Sequence, residues 1–295
     1  MRVVFLGTPA PASQILERVV EAGHEVVQVI TRPDAKRGRG GALSPSPVKE
    51  TALRLGIPVA HQLDVLDTAE ADVGVVVAYG ALIPASRLEK LPMLNVHFSL
   101  LPRWRGAAPV ERCILAGDEE TGVDIMTLEP TLDTGPIHFE VKTLVGDKDA
   151  NELLSELTRI GGDALVRVLT DPALLKNASP QSGEATYAAK LSASDFVISP
   201  ELSASNAMRI IRLGRTRIQT SKGTLRILKA RPANATAAPG EILRTDGKVV
   251  LGLADGALEL LELRPEGSKS MTAESWWTGV REVTVQWSSV AISGE

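Results

Sequence analysis

Two kinds of hydrophobic pattern follow one another along the chain. Residues 1–7 form a short apolar run closed by Gly7-Thr8-Pro9. Between 12 and 22, Ile15, Val19 and Ala22 recur at helical spacing with Leu16 and Val20 beside them, and Gly23 predicts the stop. Val26–Ile30 is the next apolar run, so strand, helix and strand fit a βαβ unit and predict a parallel sheet. Helical signals return at Val48–Leu55 and Ile57–Ala60 predicts a short strand. The continuous run Val73–Ala78 predicts a strand buried on both faces. Leu94–Phe98, Val123–Leu128 and Ile137–Val145 predict further strands, and Asn151–Leu169 is a strongly periodic helix.

The pattern changes near residue 176. The stretch 176–195 is polar and irregular, as linkers are. Beyond it Ala204–Leu213 has helical spacing. Short apolar runs then alternate with turn signals at Lys222-Gly223, Pro239-Gly240, Asp246-Gly247 and Asp255-Gly256. That spacing predicts a small β barrel or sandwich. An α/β fold followed by a smaller, mostly β domain is therefore expected. A length of 295 residues is ample for two domains.

Charge sharpens this division. The formal net charge is −4, but residues 200–295 carry 13 Lys and Arg against 10 Asp and Glu, and the first 199 carry 19 against 26. Arg209 to Arg231 holds eight basic residues and no acidic one. Such a segment suits a large anionic partner, with a solvated face as the alternative. The loop Arg32–Lys49 carries Arg32, Lys36, Arg37, Arg39 and Lys49 against one acid, Asp34, with glycines around Arg39. Flexible Arg-rich loops often order on nucleic acid, and a plain solvated loop competes with that reading. No apolar run reaches the roughly 18 residues needed to span a bilayer, and the N-terminal run lacks a cleavage signature, so a cytoplasmic protein is expected. One cysteine, Cys113, excludes an internal disulfide and Cys-based zinc sites. No metal is expected, because the histidines lack paired spacing.

Candidate chemistry concentrates in Leu94–Pro102. Asn95 and His97 stand two apart, so on a strand both side chains share one face. In open α/β sheets ligands bind outside the carboxyl ends of strands. There an amide can donate to an oxyanion and an imidazole can hold a proton near neutral pH. A buried Asn–His pair that only satisfies backbone groups is the other reading. Asp133 lies in the turn Leu132-Asp133-Thr134-Gly135. It could orient His97 and stabilise its charged form, or be an ordinary Asx turn. Gly7-Thr8-Pro9 lacks the spacing of a dinucleotide fingerprint or a P-loop.

Together, N-V-H-F-S-L-L-P-R-W-R-G-A-A-P, the later L-D-T-G, the Arg-Gly loop followed by S-P-V-K, and A-T-Y-A-A-K-L resemble the folate-dependent formyltransferases. The likeness falls within the branch that acts on initiator tRNA and runs the whole chain. It implies a Rossmann-like parallel-sheet catalytic domain over 1–187, a linker over 188–205 and an OB-like β-barrel tRNA-binding domain over 206–295. The implied donor is 10-formyltetrahydrofolate, a cosubstrate, and the acceptor is the α-amino group of methionine on initiator methionyl-tRNA. It assigns catalysis to Asn95, His97 and Asp133, and folate binding to Ser99, Leu100, Leu101 and Pro102. tRNA contact falls to Arg39, with Lys36 and Arg37 beside it. A monomer is expected.

The sequence also departs from the family pattern. Ala10-Pro11-Ala12 follows Gly-Thr-Pro where an acid, Phe and Ala are common, and Phe98 stands where a small residue is usual. Gly41-Ala42 leaves the Arg39 loop less basic than in relatives, and Leu213–Arg217 replaces a longer Pro/Trp-containing stretch.

Overall fold

A computed structural model describes residues 1–37 and 41–290. The chain divides into two compact units, the first holding most of Met1–Ala189 and the second Lys190 onward, with two short segments of the earlier chain joining the second.

The first unit is built on one seven-stranded sheet. Its strands are β1 (Arg2–Gly7), β2 (Glu25–Ile30), β3 (Val59–Ala60), β4 (Val73–Val77), β5 (Met93–His97), β6 (Glu120–Thr127) and β7 (Ile137–Leu144). The spatial order is β7-β6-β5-β4-β1-β2-β3. β3, β2, β1, β4 and β5 run parallel, while β6 and β7 join antiparallel. The chain leaves β1 first to one side and then to the other. That reversal opens a crevice at the carboxyl ends of the central strands. Val3–Leu6 and all of β4 are buried, as continuous apolar runs in parallel sheets are.

Helix α1 (Ala10–Glu21) buries Ala12, Ile15, Leu16 and Val19. Ala22, expected on that stripe, is the exposed C-cap. Helix α2 (Pro47–Arg54) starts at Ser46, whose hydroxyl accepts the Lys49 N–H. The loop before it, expected to lack regular structure, contains a hairpin pairing Ala35–Arg37 with Ala42–Ser44. Antiparallel backbone pairing needs no apolar side chains, so the polar sequence concealed it. Lys49 belongs to α2 and binds Asp34 at 2.8 Å. Helix α3 (Pro109–Ala116) carries the buried Cys113, and α4 (Ala150–Thr170) buries Leu153, Leu157, Leu165 and Val168.

The second unit is a closed antiparallel barrel. Strands β8 (Arg217–Thr220), β9 (Gly223–Ala233), β10 (Glu241–Thr245), β11 (Lys248–Leu253), β12 (Gly256–Pro265) and β13 (Thr284–Ser289) follow the order β9-β8-β13-β10-β11-β12, and β12 pairs back to β9. Ile218, Leu225, Ile227, Ile242, Leu251, Leu258, Val285 and Trp287 fill it. Asp246 and Gly247 both have positive φ, 49° and 77°, giving β10 and β11 the tight turn that Asp-Gly favours. Helices α5 (Ala204–Ile211) and α6 (Ala273–Trp277) pack on this core. An open Rossmann-like sheet followed by a closed barrel is the architecture expected.

Candidate active site

β5 delivers Asn95 and His97 to the crevice from one face, as their spacing requires, and both are buried. The chain then folds into a loop stapled from several sides. The Ser99 hydroxyl donates to the Arg103 carbonyl at 2.6 Å. Leu101 N donates to Asp124 Oδ2 at 2.6 Å, and Trp104 N donates to Thr186 Oγ1 at 2.9 Å. These bonds hold Trp104 at φ 63°, a conformation an aromatic residue rarely adopts unaided.

The held loop fixes the histidine tautomer. His97 Nε2 lies 2.9 Å from the Trp104 carbonyl. A carbonyl only accepts, so Nε2 carries the hydrogen and Nδ1 of the neutral ring keeps its lone pair. Nδ1 lies 3.7 Å from Asp133 Oδ2. Burial lowers the pKa of His97, while the Asp133 charge and the Trp104 carbonyl oppose that fall. Burial thus favours the neutral ring, with its basic nitrogen toward a carboxylate that would stabilise it once protonated.

Asp133 reaches this place through an unusual turn. Its φ is 50°, which Asp tolerates better than most residues, and its Oδ2 accepts the Gly106 N–H at 2.8 Å. Gly106 has φ 121° and lies against the Ala188 carbonyl. Gly135 has no room for a Cβ beside the Thr127 carbonyl. The L-D-T-G and R-G signatures thus have steric causes.

A cavity of about 690 Å³ opens over these residues. Asn95, His97 and Asp133 all line it, so the structure brings the three together. Among the described residues the Asn95 amide has no hydrogen-bond partner, and its donors stay available to a bound group. The apolar walls are Val76, Tyr79, Leu82, Ile83, Phe98, Leu128 and Leu132, with Leu82 and Leu132 exposed at the mouth. The sequence reading missed the walls 78–83 and 128–132. The 78–83 wall had position as its signal, since it follows β4 where that strand ends at the crevice; 128–132 leaves β6, which runs antiparallel to β5, and had no such signal. Ser99, Leu100, Leu101 and Pro102 do not line this cavity. Ser99, Leu101 and Pro102 are buried, and Leu100 packs against Gly122.

Of the residues expected to meet tRNA, Lys36 is exposed on the hairpin, Arg37 ends its first strand, and Arg39 lies outside the described residues. In the barrel, the run Arg209–Arg231 is not uniformly free. Lys222 binds Glu282, Arg231 binds Glu259 at 2.8 Å, and Arg212 donates to the Lys148 carbonyl. Arg226, which donates to the Gly214 carbonyl, pairs in register with Arg217 on one side and with Arg264, beyond this run, on the other, a row across three strands. Partial burial and the nearby charges of Arg264, Arg217 and Arg215 depress the Arg226 pKa. Like charges held side by side are a cost that an anion would relieve.

By family the chain is a formyl transferase. The chain matches the Formyl transferase family over residues 1–169 and the Formyl transferase, C-terminal domain family over 203–281. It belongs to the methionyl-tRNA formyltransferases. It is 40% identical to the methionyl-tRNA formyltransferase of Clavibacter sepedonicus, covering 95% of this chain and 97% of that one. It is also 40% identical to that of Thiobacillus denitrificans, covering 95% and 96%. Among solved structures, HypX from Aquifex aeolicus aligns over 96% of this chain with a TM-score of 0.66 at 17% identity; the chain spans 48% of it. An N-formyltransferase from Helicobacter canadensis, in complex with folinic acid and dTDP-3-aminofucose, aligns over 91% of this chain and 99% of its own with a TM-score of 0.65 at 16% identity. These two likenesses concern the fold.

Proposed function

We propose that the protein transfers the formyl group of 10-formyltetrahydrofolate to the α-amino group of methionine on initiator methionyl-tRNA, giving N-formylmethionyl-tRNA for translation initiation. The convergence of Asn95, His97 and Asp133 on one cavity carries the chemistry. The methionyl-tRNA formyltransferase relatives, matched over nearly the whole chain, carry the acceptor. In this reading the flat ring system of the donor lies between the walls 78–83 and 128–132, and the Ser99–Pro102 segment holds the loop that follows β5. The acceptor amine, once deprotonated, attacks the formyl carbon. The Asn95 amide donates to the oxyanion that forms. His97 Nδ1 takes the proton from the attacking nitrogen, and Asp133 stabilises the imidazolium. The same proton then passes to the departing folate nitrogen, which leaves as the C–N bond breaks.

Residues 1–187 form the catalytic domain, 188–205 the connection, and 206–295 the domain that holds the tRNA. Lys36, Arg37 and Arg39 grip the acceptor stem. The enzyme works as a monomer in the cytoplasm; among the described residues no helix is long and apolar enough to cross a membrane. Labelled 10-formyltetrahydrofolate offered with charged tRNA, uncharged tRNA and a nucleotide-linked aminosugar tests the reading. Label on methionyl-tRNA alone is the expected result, and label only on the aminosugar would replace tRNA by a small amine.

A further inference from the structure

The polar stretch from 176 onward, expected as a linker, is tied to the first unit as far as Ala189. Ser179 bridges to Ile137, and Tyr187–Ala188 pairs in parallel with Arg105–Gly106. Thr186 accepts the Arg105 N–H at 2.9 Å through its carbonyl. Within this stretch Gln181 is half-buried and uses its whole amide. Its Oε1 accepts from Arg105 Nε at 3.1 Å and from Nη2 at 2.5 Å. Its Nε2 donates to the Asp133 carbonyl at 2.8 Å and to the Gly135 carbonyl at 2.9 Å. The orientation of the amide is forced, since a guanidinium only donates and a carbonyl only accepts.

From this geometry we infer that Gln181 is a positioning residue for formyl transfer, holding the Asp133 turn so that its carboxylate stays beside His97. The inference rests on the roles proposed above for His97 and Asp133. Asp133 is gripped at two points. Gly106 holds its side chain, and Gln181 holds its main chain from Arg105. Both grips end on the same two-residue strand, Arg105–Gly106, which the Tyr187–Ala188 strand fixes in turn. A ring thus closes from the Asp133 carboxylate through Gly106, Arg105 and Gln181 back to the Asp133 carbonyl. A residue at φ 50° gains from such a hold, because its own backbone preference does not supply it. Without Gln181 the carboxylate would hang from one N–H.

Two variants test the idea. Gln181→Met keeps the length without charge or hydrogen bonds. Gln181→Glu keeps the Arg105 partner, now as an ion pair, but cannot donate to either carbonyl. Both should melt within a few degrees of wild type. Both should lose kcat about tenfold or more, with the KM for 10-formyltetrahydrofolate within about threefold, since a misplacement near 1 Å can cost as much as a hundredfold. A readout independent of activity is the NMR titration of His97, assigned with a His97→Ala control. In Gln181→Met the His97 midpoint should fall below the wild-type value, because the carboxylate that raises it is less well held. A packing role would move the melting temperature and leave the midpoint and kcat in place. Folded Gln181→Met or Gln181→Glu with wild-type kcat, or an unmoved His97 midpoint in Gln181→Met, would overturn the inference. Should wild type fail to formylate methionyl-tRNA, or Asp133→Asn stay fully active, the site reading itself falls first.

Discussion

The charged groups of the two units are arranged in opposite ways. At the end of the parallel sheet, His97 and Asp133 are buried, each with a fixed partner, and the backbone is bent to suit them. On the barrel, Arg217, Arg226 and Arg264 stand side by side across three strands. The first arrangement accepts strain and desolvation to fix a geometry, as proton transfer requires. The second keeps like charges in reach of solvent, which suits a partner recognised by its charge. The Arg226 guanidinium also donates to the Gly214 carbonyl, so at least one member of the row is directionally set.

The largest expected effects fall at the sheet end. His97→Ala or Asn95→Ala should cut turnover by about 10² to 10⁴ with the fold intact, measured as kcat against circular dichroism. Either variant retaining more than about a tenth of wild-type turnover would remove that residue from the mechanism. Asp133→Asn comes next. It should lower kcat severely and move the His97 midpoint to lower pH, since the charge opposing the burial effect is gone. Activity that needs a neutral His97 should therefore persist further into acid in Asp133→Asn, relative to its own plateau, than in wild type.

Smaller effects are expected on the charged surface. Arg39→Ala should lower kcat/KM for charged tRNA at least about tenfold, roughly 1.4 kcal/mol, with folate KM unmoved and Arg39→Lys restoring only part. Replacing Arg226 with Ala should weaken tRNA binding and reduce the slope of log affinity against log salt by about one. Binding that ignores salt would return the row to a solvated surface.

The smallest effect is one of stability at Asp124. This carboxyl is fully buried, its Oδ1 has no partner, and burial pushes its pKa up to about 7 from 3.8. The folded state then holds the proton between those values. Its stabilising contribution is complete below about pH 4 and is lost as pH rises through 7. Asp124→Asn should flatten the decline in unfolding free energy between about pH 4 and 7, as read by urea titration.

Much of this was legible in the sequence where a local signal coincided with burial. The run Val73–Ala78 announced itself as a strand buried on both faces, residues 1–7 as a short apolar run, and the Asn95/His97 spacing placed both side chains on one face. The barrel turns were marked by their Gly pairs. What was concealed depends on partners distant along the chain. The 35–37 and 42–44 strands pair through backbone alone. Gln181 sits in a stretch whose polar, irregular composition looks like a linker, and its importance comes from Arg105 and Asp133, 76 and 48 residues away. The Ser99–Leu101 segment carries a motif, yet its main visible task is to anchor the loop that holds His97. The apolar cavity walls carried no pattern at all, because a wall is defined by what it faces.

The division of labour between the two units can be measured in one experiment: single-turnover formylation of methionyl-tRNA, with the tRNA dissociation constant determined alongside, for His97→Ala and for the triple variant Arg217→Ala/Arg226→Ala/Arg264→Ala. The account predicts that His97→Ala binds tRNA like wild type and transfers formyl about 10² or more times slower at saturation. It predicts that the triple variant binds about tenfold or more weakly, yet transfers at near the wild-type rate once saturated. A triple variant that binds normally, or a His97→Ala enzyme that transfers normally at saturation, would contradict it.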